Sequence, residues 1–426
     1  MDLREPPPAS PIGTTIGPAI SITDYNGVVW TVQGGAVYAD GLPACTSSKT
    51  ALLLYYYGKI YKQDEAKAWA VWDGTCWKYV PTDPRIIGVI VVPPPNPPPT
   101  SSLVVNVRTT GAVCDGITDD TAAIQAAINL VGGTGGNVLV PAGTCVINPD
   151  IGLRMKTDMT FNMATGAVLQ ARASSRQIYS MILLQNVSNV TLVGGTLIGD
   201  RVIHTGVGGE WGMGVNIISS SNIYVGGITV KDAWGDGFYV GGDPITSQGI
   251  TLDGVIADHA RRQGVSVTNA NGVLIKNSAF INTDGTAPSS GIDLEPNHTA
   301  QSVVNVQIVS SQFLNNGGAD ITATGWFNHF VGVANVLIDG NTIRGNGYSA
   351  DDSVINDSGV FAIYTQNVTI SNNNIFSPKR GVNAELTTET VITNNTICAP
   401  TPLTFSRNAP IPEVVRGNTT STAECP

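Results

Sequence analysis

The feature that most constrains the fold is a short pattern repeated through the second half of the chain. Each copy places apolar residues at alternate positions and another five positions later, as in Val190, Leu192 and Leu197. Successive copies are separated by 23 to 33 residues. The aligned positions are Val190, Ile223, Ile250, Val273, Val306, Val336 and Val368. Period-two strands at this interval, with Gly and Asn at the corners, predict a parallel β-helix, because a sandwich or propeller needs hairpin connections.

Composition excludes several other classes of protein. Charged residues make up 13% of the chain, against roughly 25% in an average soluble protein. This scarcity of Lys, Glu and Arg disfavours a helical bundle or coiled coil. A net charge of −10 also argues against a nucleic-acid partner, which requires a basic surface. Because the chain lacks an uninterrupted apolar run of about 18 residues, we expect no membrane-spanning helix.

A proline-rich stretch, VPPPNPPPTSS, divides the chain into regions of different composition. The predicted organisation is an N-terminal tail (1–17), a small aromatic-rich β module (18–90), a linker (91–102), a β-helix catalytic domain (103–400) and a C-terminal tail or cap (401–426). The module contains four of the seven tryptophans, Trp30, Trp69, Trp72 and Trp77. They suit either a sugar-stacking platform or the packed core of a small domain, and both interpretations remain open.

Residues 111–147 predict a turn, a helix and a strand just before the repeats. Asp119 or Asp120 is suited to cap the N-terminus of a helix whose apolar positions include Ile124 and Ile128. That helix would cover the open end of the solenoid, where exposed strand edges would otherwise promote aggregation.

The pattern GAVCDGITDDTAAIQAAI, followed by the strand VLVPAG, resembles the start of proteins of the pectate-lyase-like superfamily. With the repeats, the resemblance covers roughly residues 103–400. It implies an all-β, single-stranded, right-handed parallel β-helix with an N-terminal capping helix. The superfamily mostly cuts or binds polysaccharides and includes many phage tailspikes, so the resemblance implies a polysaccharide substrate without defining the reaction.

The six cysteines fall into three sequence-local pairs. These pairs are Cys45 with Cys76, Cys114 with Cys145, and Cys398 with Cys425. Three disulfides would indicate an oxidising compartment, whereas six buried thiols would not. The N-terminus lacks the basic and apolar regions of a signal peptide. We therefore expect an extracellular or secreted protein whose leader was removed, or one exported by another route such as release within a phage particle.

Stacking of equivalent positions predicts a row of polar side chains along one face of the solenoid. Each middle coil has a second strand opened by glycine. The expected inward residues are Val215, Phe238, Val265, Ile292 and Ala319, and the expected outward row is Asn216, Tyr239, Ser266, Asp293 and Asp320. Glu295 shares this face, about 6 to 7 Å along the strand from Asp293. Asp236 and Gln263 lie at the turns that precede two of these strands.

The candidate catalytic residues are Asp293, Glu295 and Asp320, with Asp236 tuning or supplementing them. Carboxyl groups about 5 Å apart suit a retaining glycosidase, and groups about 6.5 to 9.5 Å apart suit an inverting one. Crowding would also raise the pKa of one acid, as a general acid requires. A hydrolase of this kind needs no cofactor. The alternative is Ca²⁺ held by the same oxygens, as in pectate lyases, where an Arg or Lys serves as base.

A loop at 199–214 and several nearby side chains are candidates for binding sugar. The substrate-binding candidates are Arg261, Arg262, Gln263, Tyr239, His204, Glu210, Trp211, His298 and Trp326. The paired arginines favour an acidic glycan. The histidines lack the spacing of a zinc site, so no metal ligand is predicted. The full polygalacturonase constellation and the D-P-H-E signature of alginate epimerases are both absent, which leaves the reaction type open.

The sequence therefore predicts an extracellular polysaccharide-degrading glycoside hydrolase. Two alternatives remain: a polysaccharide lyase or uronate epimerase acting on acidic glycans, and a non-catalytic glycan-binding tailspike or adhesin. Many β-helices of this type form homotrimers, but nothing in the sequence specifies an oligomer, the polysaccharide, or retention against inversion.

Overall fold

The computed structural model describes residues 10, 14–16, 20–24, 27–45, 49–56, 59–80, 101–325, 332–345, 358–405 and 414–422. The chain forms two compact units, residues 1–91 and 92–426. None of the helices within the described residues is long and apolar enough to cross a membrane.

The first unit is built from short antiparallel strands in two sheets. One sheet contains, in spatial order, Thr15–Ile16, Thr50–Tyr56, Lys59–Asp64, Trp69–Trp72 and Trp77–Val80, and the other contains Ile22–Thr23, Val29–Gln33, Ala36–Ala39 and Leu42–Pro43. Trp30 is buried and meets Trp72 and Trp77 edge-on, with ring centroids 5.5 and 6.3 Å away. Trp69 is also buried. These packed rings support the core interpretation, since a sugar platform needs an open ring face.

The second unit is the predicted right-handed parallel β-helix, with three parallel sheets that each coil visits in turn. Sheet 1 comprises Val104–Asn106, Asn137–Val140, Met159–Met163, Ser188–Val193, Ser221–Gly226, Ser247–Asp253, Ala270–Lys276, Val303–Val309, Val333–Asp339, Thr365–Ser371, Val391–Thr393 and Val414–Arg416. Sheet 2 comprises Asp115–Asp119, Gly143–Ile147, Ala167–Ala171, Thr196–Ile198, Thr229–Lys231, Ile256–Asp258, Ala279–Ile281, Gln312–Leu314, Thr342–Arg344, Asn374–Phe376, Thr396–Cys398 and Thr419–Ser421. Sheet 3 comprises Leu153–Arg154, Ile178–Gln185, Trp211–Ile218, Phe238–Gly241, Val265–Val267, Ile292–Leu294, Ile321–Thr324, Ser358–Ile363, Arg380–Glu385 and Thr401–Phe405.

The register of sheet 1 matches the repeat in the sequence. Val190 pairs with Ile223, which pairs with Ile250, and the same register continues to Val368. These side chains are buried in one continuous apolar core. The hydrophobic period therefore determines both the face that each strand buries and the alignment of each coil on the next.

The predicted capping helix spans Thr121–Val131 and follows a 3₁₀ turn at Val107–Thr110. It buries Ile124 and Ile128 against the first coils. Asp120 occupies the N-cap position, but its carboxylate accepts hydrogen bonds from the amides of Val113 and Cys114 (2.6 and 3.0 Å) instead of capping the helix. Asp119 accepts a hydrogen bond from the Thr121 amide at 3.0 Å, so it anchors the first turn.

Buried asparagines stack between sheets 1 and 2 in consecutive coils. Asn373 donates from its side chain to the Ile338 carbonyl (2.9 Å), and its Oδ1 accepts a hydrogen bond from the Asn341 amide (2.9 Å). Asn395 and Asn418 repeat this arrangement in the following coils. The ladder satisfies backbone groups at a buried corner that would otherwise lose hydrogen bonds to water.

Two of the predicted disulfides, Cys45–Cys76 and Cys114–Cys145, are present. Cys398 is also disulfide-bonded, while its predicted partner Cys425 lies outside the described residues. The first two pairings are therefore confirmed.

We predict that Asn373→Ala lowers the free energy of unfolding by about 1 to 3 kcal/mol, because it leaves buried backbone groups unpaired. Chemical denaturation measures this loss. The neighbouring Asn374 is exposed and provides the matched control, Asn374→Ala. Equal destabilisation by the two variants would contradict a structural role for the ladder.

Candidate functional site

The outward face of sheet 3 carries a stack of aligned side chains. We define the outer row as Arg154, Leu183, Asn216, Tyr239, Ser266, Asp293 and Thr322, which pair in this order across seven strands. Loops 199–210, 232–237, 259–264 and 282–291 flank one edge of the sheet, and loops 242–246 and 295–302 flank the other. The predicted row is thus present from Asn216 to Asp293.

Asp293 is the central carboxyl group of the outer row and is only 3% exposed. Its Oδ2 accepts a hydrogen bond from Gln263 Nε2 at 2.9 Å. Gln263 is itself buried and is oriented by the Ser290 amide, which donates to its Oε1 at 2.7 Å. The other oxygen, Oδ1, accepts no hydrogen bond within the described part of the chain. Gln263 therefore fixes the orientation of the Asp293 carboxyl group, whose Oδ1 is buried.

Burial raises the pKa of Asp293 well above that of an ordinary aspartate. The negative charge of the neighbouring Glu295 raises this pKa further. Glu295 is only partly buried. A proton held between a buried and a more exposed carboxyl group provides one acid and one carboxylate.

Arg262 counterbalances the acids around this pair. Its Nη1 lies 3.2 Å from Asp236 Oδ2, and its Nε lies 3.6 Å from Glu210 Oε2. Burial lowers the pKa of Arg262, but the surrounding carboxylates of Asp236, Asp293, Glu210 and Glu295 outweigh that effect and raise it. Arg262 therefore remains a fixed cation between the site and one flanking loop.

Asp236 is fully buried, so it does not reach substrate. Burial raises its pKa, although Arg262 acts in the opposite direction. Its Oδ1 also accepts a hydrogen bond from the Gln263 amide at 3.2 Å. Asp236 therefore holds Arg262 and the Gln263 turn in place.

The predicted position of Asp320 in the outer row is wrong. Asp293 pairs with Thr322, and Ile292 pairs with Ile321 instead of Ala319. Asp320 instead takes the turn position that Gly291 holds in the preceding coil, where Ile292 N donates to the Asp320 carbonyl. Its buried carboxylate accepts a hydrogen bond from Asn316 Nδ2 at 2.8 Å. Alignment on the strand-opening glycines failed because Asp320 holds the position directly before this strand, and the glycines of the turn, Gly317 and Gly318, lie earlier.

His204 also differs from expectation, because its side chain is completely buried and does not line a cleft. Its Nδ1 lies 2.8 Å from Asp200 Oδ2, and its ring stacks on Trp234 with centroids 3.8 Å apart. Arg261 covers the same indole at 3.9 Å and donates to the Gly209 carbonyl at 2.5 Å. These groups hold the 199–210 loop against its neighbours. Sequence analysis did not identify Trp234 as part of this region, because the residues around it give no sign that its ring packs between His204 and Arg261.

The remaining predicted residues lie at the edges of sheet 3. Trp211 is 45% exposed at the start of a strand and retains an open surface. On the opposite edge, His298 Nε2 lies 3.0 Å from Asp243 Oδ2, and the Tyr239 hydroxyl lies 2.8 Å from Thr268 Oγ1. Sequence reasoning missed Asp243, which lies in a loop directly before Pro244. Trp326 lies outside the described residues.

The carboxylates do not converge as a Ca²⁺ site requires. Within the described ranges, only Cys114, Asp120 and Cys145 bring three potential ligand atoms within 4.8 Å of one another. Both of these sulfurs belong to a disulfide. Asp236, Asp293 and Glu295 therefore do not fit a shared metal position in this arrangement.

Residues 104–200 match the family model described as rhamnogalacturonase A/epimerase, pectate lyase-like. The resemblance to the pectate-lyase-like superfamily is confirmed. Among curated proteins, the uncharacterized protein YclG of Bacillus subtilis (strain 168) is 25% identical over 273 residues, which are 57% of this chain and 46% of YclG. The chain spans less than half the length of the curated relatives that it matches.

Several solved structures share the fold of this chain. The tailspike gp49 of Acinetobacter baumannii bacteriophage Fri1, a capsular polysaccharide depolymerase, has 13% identity and a TM-score of 0.52, covering 96% of this chain and 72% of its own. A family 28 exopolygalacturonase of Yersinia enterocolitica has 15% identity and a TM-score of 0.50, covering 88% and 75%. The Streptococcus pneumoniae surface protein and adhesin PfbA has 14% identity and a TM-score of 0.51, covering 75% and 100%.

The electrostatics of Asp320 predict a pH-dependent gain in stability on substitution. Burial raises the pKa of Asp320 well above its usual value. The folded state therefore loses stability as the pH rises above the pKa of the unfolded chain, about 3.9. We expect Asp320→Asn to raise the unfolding temperature at pH 7, by about 1 to 2 °C for each kcal/mol gained.

Thermal unfolding measured from pH 3.5 to pH 7 checks this prediction. The gain in unfolding temperature should disappear near pH 3.5, because most Asp320 side chains of the parent protein are then protonated in both the folded and the unfolded state. The measurements at acidic pH are therefore the internal control. A variant less stable than the parent at pH 7 would contradict the assigned burial cost.

Proposed function

We propose that this protein is an extracellular polysaccharide-degrading glycoside hydrolase that uses Asp293 and Glu295. The observation that carries the proposal is the buried Asp293, whose pKa is raised by burial and by the charge of the more exposed Glu295 two residues along the chain. Glycoside hydrolysis needs one protonated acid and one carboxylate beside the glycosidic bond. Structural neighbours that act on polysaccharides provide independent support.

In the proposed reaction, Asp293 is the acid that protonates the leaving glycosidic oxygen. Gln263 donates a hydrogen bond to its Oδ2, which fixes the orientation of the carboxyl group. Glu295 stabilises the positive charge that develops on the sugar. It then acts either as the nucleophile that attacks the anomeric carbon or as the base that activates a water molecule. Arg262 limits the accumulated negative charge of the four surrounding acids.

Hydrolysis is preferred to β-elimination because neither arginine is suited to remove a proton. The carboxylates around Arg262 raise its pKa and so stabilise its protonated form. Burial lowers the pKa of Arg261, but its guanidinium is stacked on Trp234 and hydrogen-bonded to a carbonyl.

Action outside the cell is part of the proposal. The disulfides Cys45–Cys76 and Cys114–Cys145 are typical of proteins from an oxidising compartment. Surface and tailspike neighbours are consistent with a cell-surface or phage-borne location.

We expect the Asp293→Asn and Glu295→Gln variants each to lower kcat/KM by about 10²-fold or more, since each removes a proton-transfer or charge-stabilising group. The protein is incubated with a panel of neutral and acidic polysaccharides while reducing ends and the absorbance of unsaturated uronates are followed together. New reducing ends without added absorbance are the expected products.

Asp253→Asn is the matched control, because Asp253 lies at the end of a sheet 1 strand, away from the outer row. It should retain turnover. Full turnover by both site variants would overturn the catalytic assignment, and rising absorbance would identify a lyase. Binding without products on the whole panel would instead favour a glycan-binding protein.

A further inference from the structure

A cavity of about 610 Å³ lies at the N-terminal end of sheet 3, beside the C-terminus of the capping helix. Its lining includes the cations Arg154 and Lys156, the amides Asn129, Gln185 and Asn186, and the apolar Leu183. Both cations are exposed. The volume falls within the range of about 300 to 1,000 Å³ typical of small-ligand pockets.

The walls of the cavity are held by hydrogen bonds between the helix and the first coils. Gln125 accepts from the Arg154 amide (2.8 Å) and donates to the Arg154 carbonyl (3.0 Å). The Gly133 amide donates to the Thr157 carbonyl at 2.8 Å. A side chain at Gly132 would collide with Lys156, so glycine permits this close approach. The backbone carrying both cations is therefore fixed before any ligand binds.

The chemistry of the lining suits an acidic sugar. None of the described side chains that line the cavity is a carboxylate, so Arg154 and Lys156 are not neutralised within it. Guanidinium and ammonium groups bind carboxylates through charge-assisted hydrogen bonds. The neighbouring amides can donate to and accept from sugar hydroxyls, and Leu183 offers an apolar surface to a ring.

The cavity lies on the same line as the candidate catalytic pair. Arg154 and Leu183 are the first two members of the outer row, and Asp293 is the sixth. Five strand spacings of about 4.8 Å place the Arg154 strand about 24 Å from the Asp293 strand. Gln185 and Glu295 also occupy equivalent outward positions. The residues that precede them, Leu184 and Leu294, are aligned with each other in the inward row of sheet 3.

We propose that this cavity is a distal subsite that binds an acidic sugar of the same polysaccharide chain that reaches Asp293 and Glu295. The inference rests on the proposed function, since it assumes that a polymer lies along the outer row. It adds that the substrate is an acidic polysaccharide several sugars long, held about five coils from the bond that is cut. The outward face of sheet 3, which carries Asn216 and Tyr239 between the two sites, provides the path.

The test uses affinity electrophoresis of the full chain in gels containing polygalacturonate, alginate or hyaluronate, with dextran as the neutral polymer. The double variant Arg154→Gln/Lys156→Gln should bind the retarding acidic polymer about tenfold more weakly than the parent. The matched control is Arg176→Gln/Lys231→Gln, which removes two exposed cations elsewhere on the solenoid. It should change the affinity by less than about twofold.

The outcomes separate this inference from the proposed function, because retardation requires no turnover. Selective loss of retardation in the double variant supports the subsite even if no polysaccharide is cleaved. If the double variant binds like the control while the parent cleaves its substrate, the subsite is overturned and the hydrolase assignment stands. The subsite is also overturned if none of the acidic polymers retards the parent, or if dextran retards it equally.

Discussion

The structure depends on the parallel register between consecutive coils. Each coil contributes short strands that bury alternate apolar side chains, and a shift by one residue would turn that set outward. Val190, Ile223 and Ile250 illustrate how one apolar position repeats through the core. The same register brings outward side chains from different coils together, so residues far apart in sequence form one continuous surface.

Burial of charge is the consequence of this stacking that matters most for chemistry. Asp236 and Asp293 lie on different coils, yet both surround Arg262, which neighbours Glu210 and Glu295 as well. A single guanidinium does not neutralise four acids, and desolvation already disfavours the ionised form of Asp293. Protonation of one carboxyl group relieves the excess charge, and this is how the fold produces a strong candidate for a general acid.

The sequence predicted the solenoid, the capping helix and the row from Asn216 to Asp293, because those features follow from periodicity and local patterns. It misplaced Asp320, since this residue directly precedes the strand of its coil and the glycines of that turn, Gly317 and Gly318, lie two or three positions earlier. It also placed His204 in a cleft, whereas stacking on Trp234 buries that side chain. Loop packing of this kind depends on contacts between coils, for which the repeat pattern carries no signal. The cavity lined by Arg154 and Lys156 was not predicted, because it forms only where the capping helix and the first coils meet in space.

The most direct test of this account is the protonation state of Asp293 at neutral pH. Infrared difference spectroscopy between the parent and Asp293→Asn, recorded at pH 7, isolates the C=O stretch of a protonated carboxylic acid. We expect the parent protein to have this band and the variant to lose it. The measurement needs no polysaccharide substrate. A difference spectrum showing only the loss of an ionised carboxylate would contradict the assignment of Asp293 as the acid.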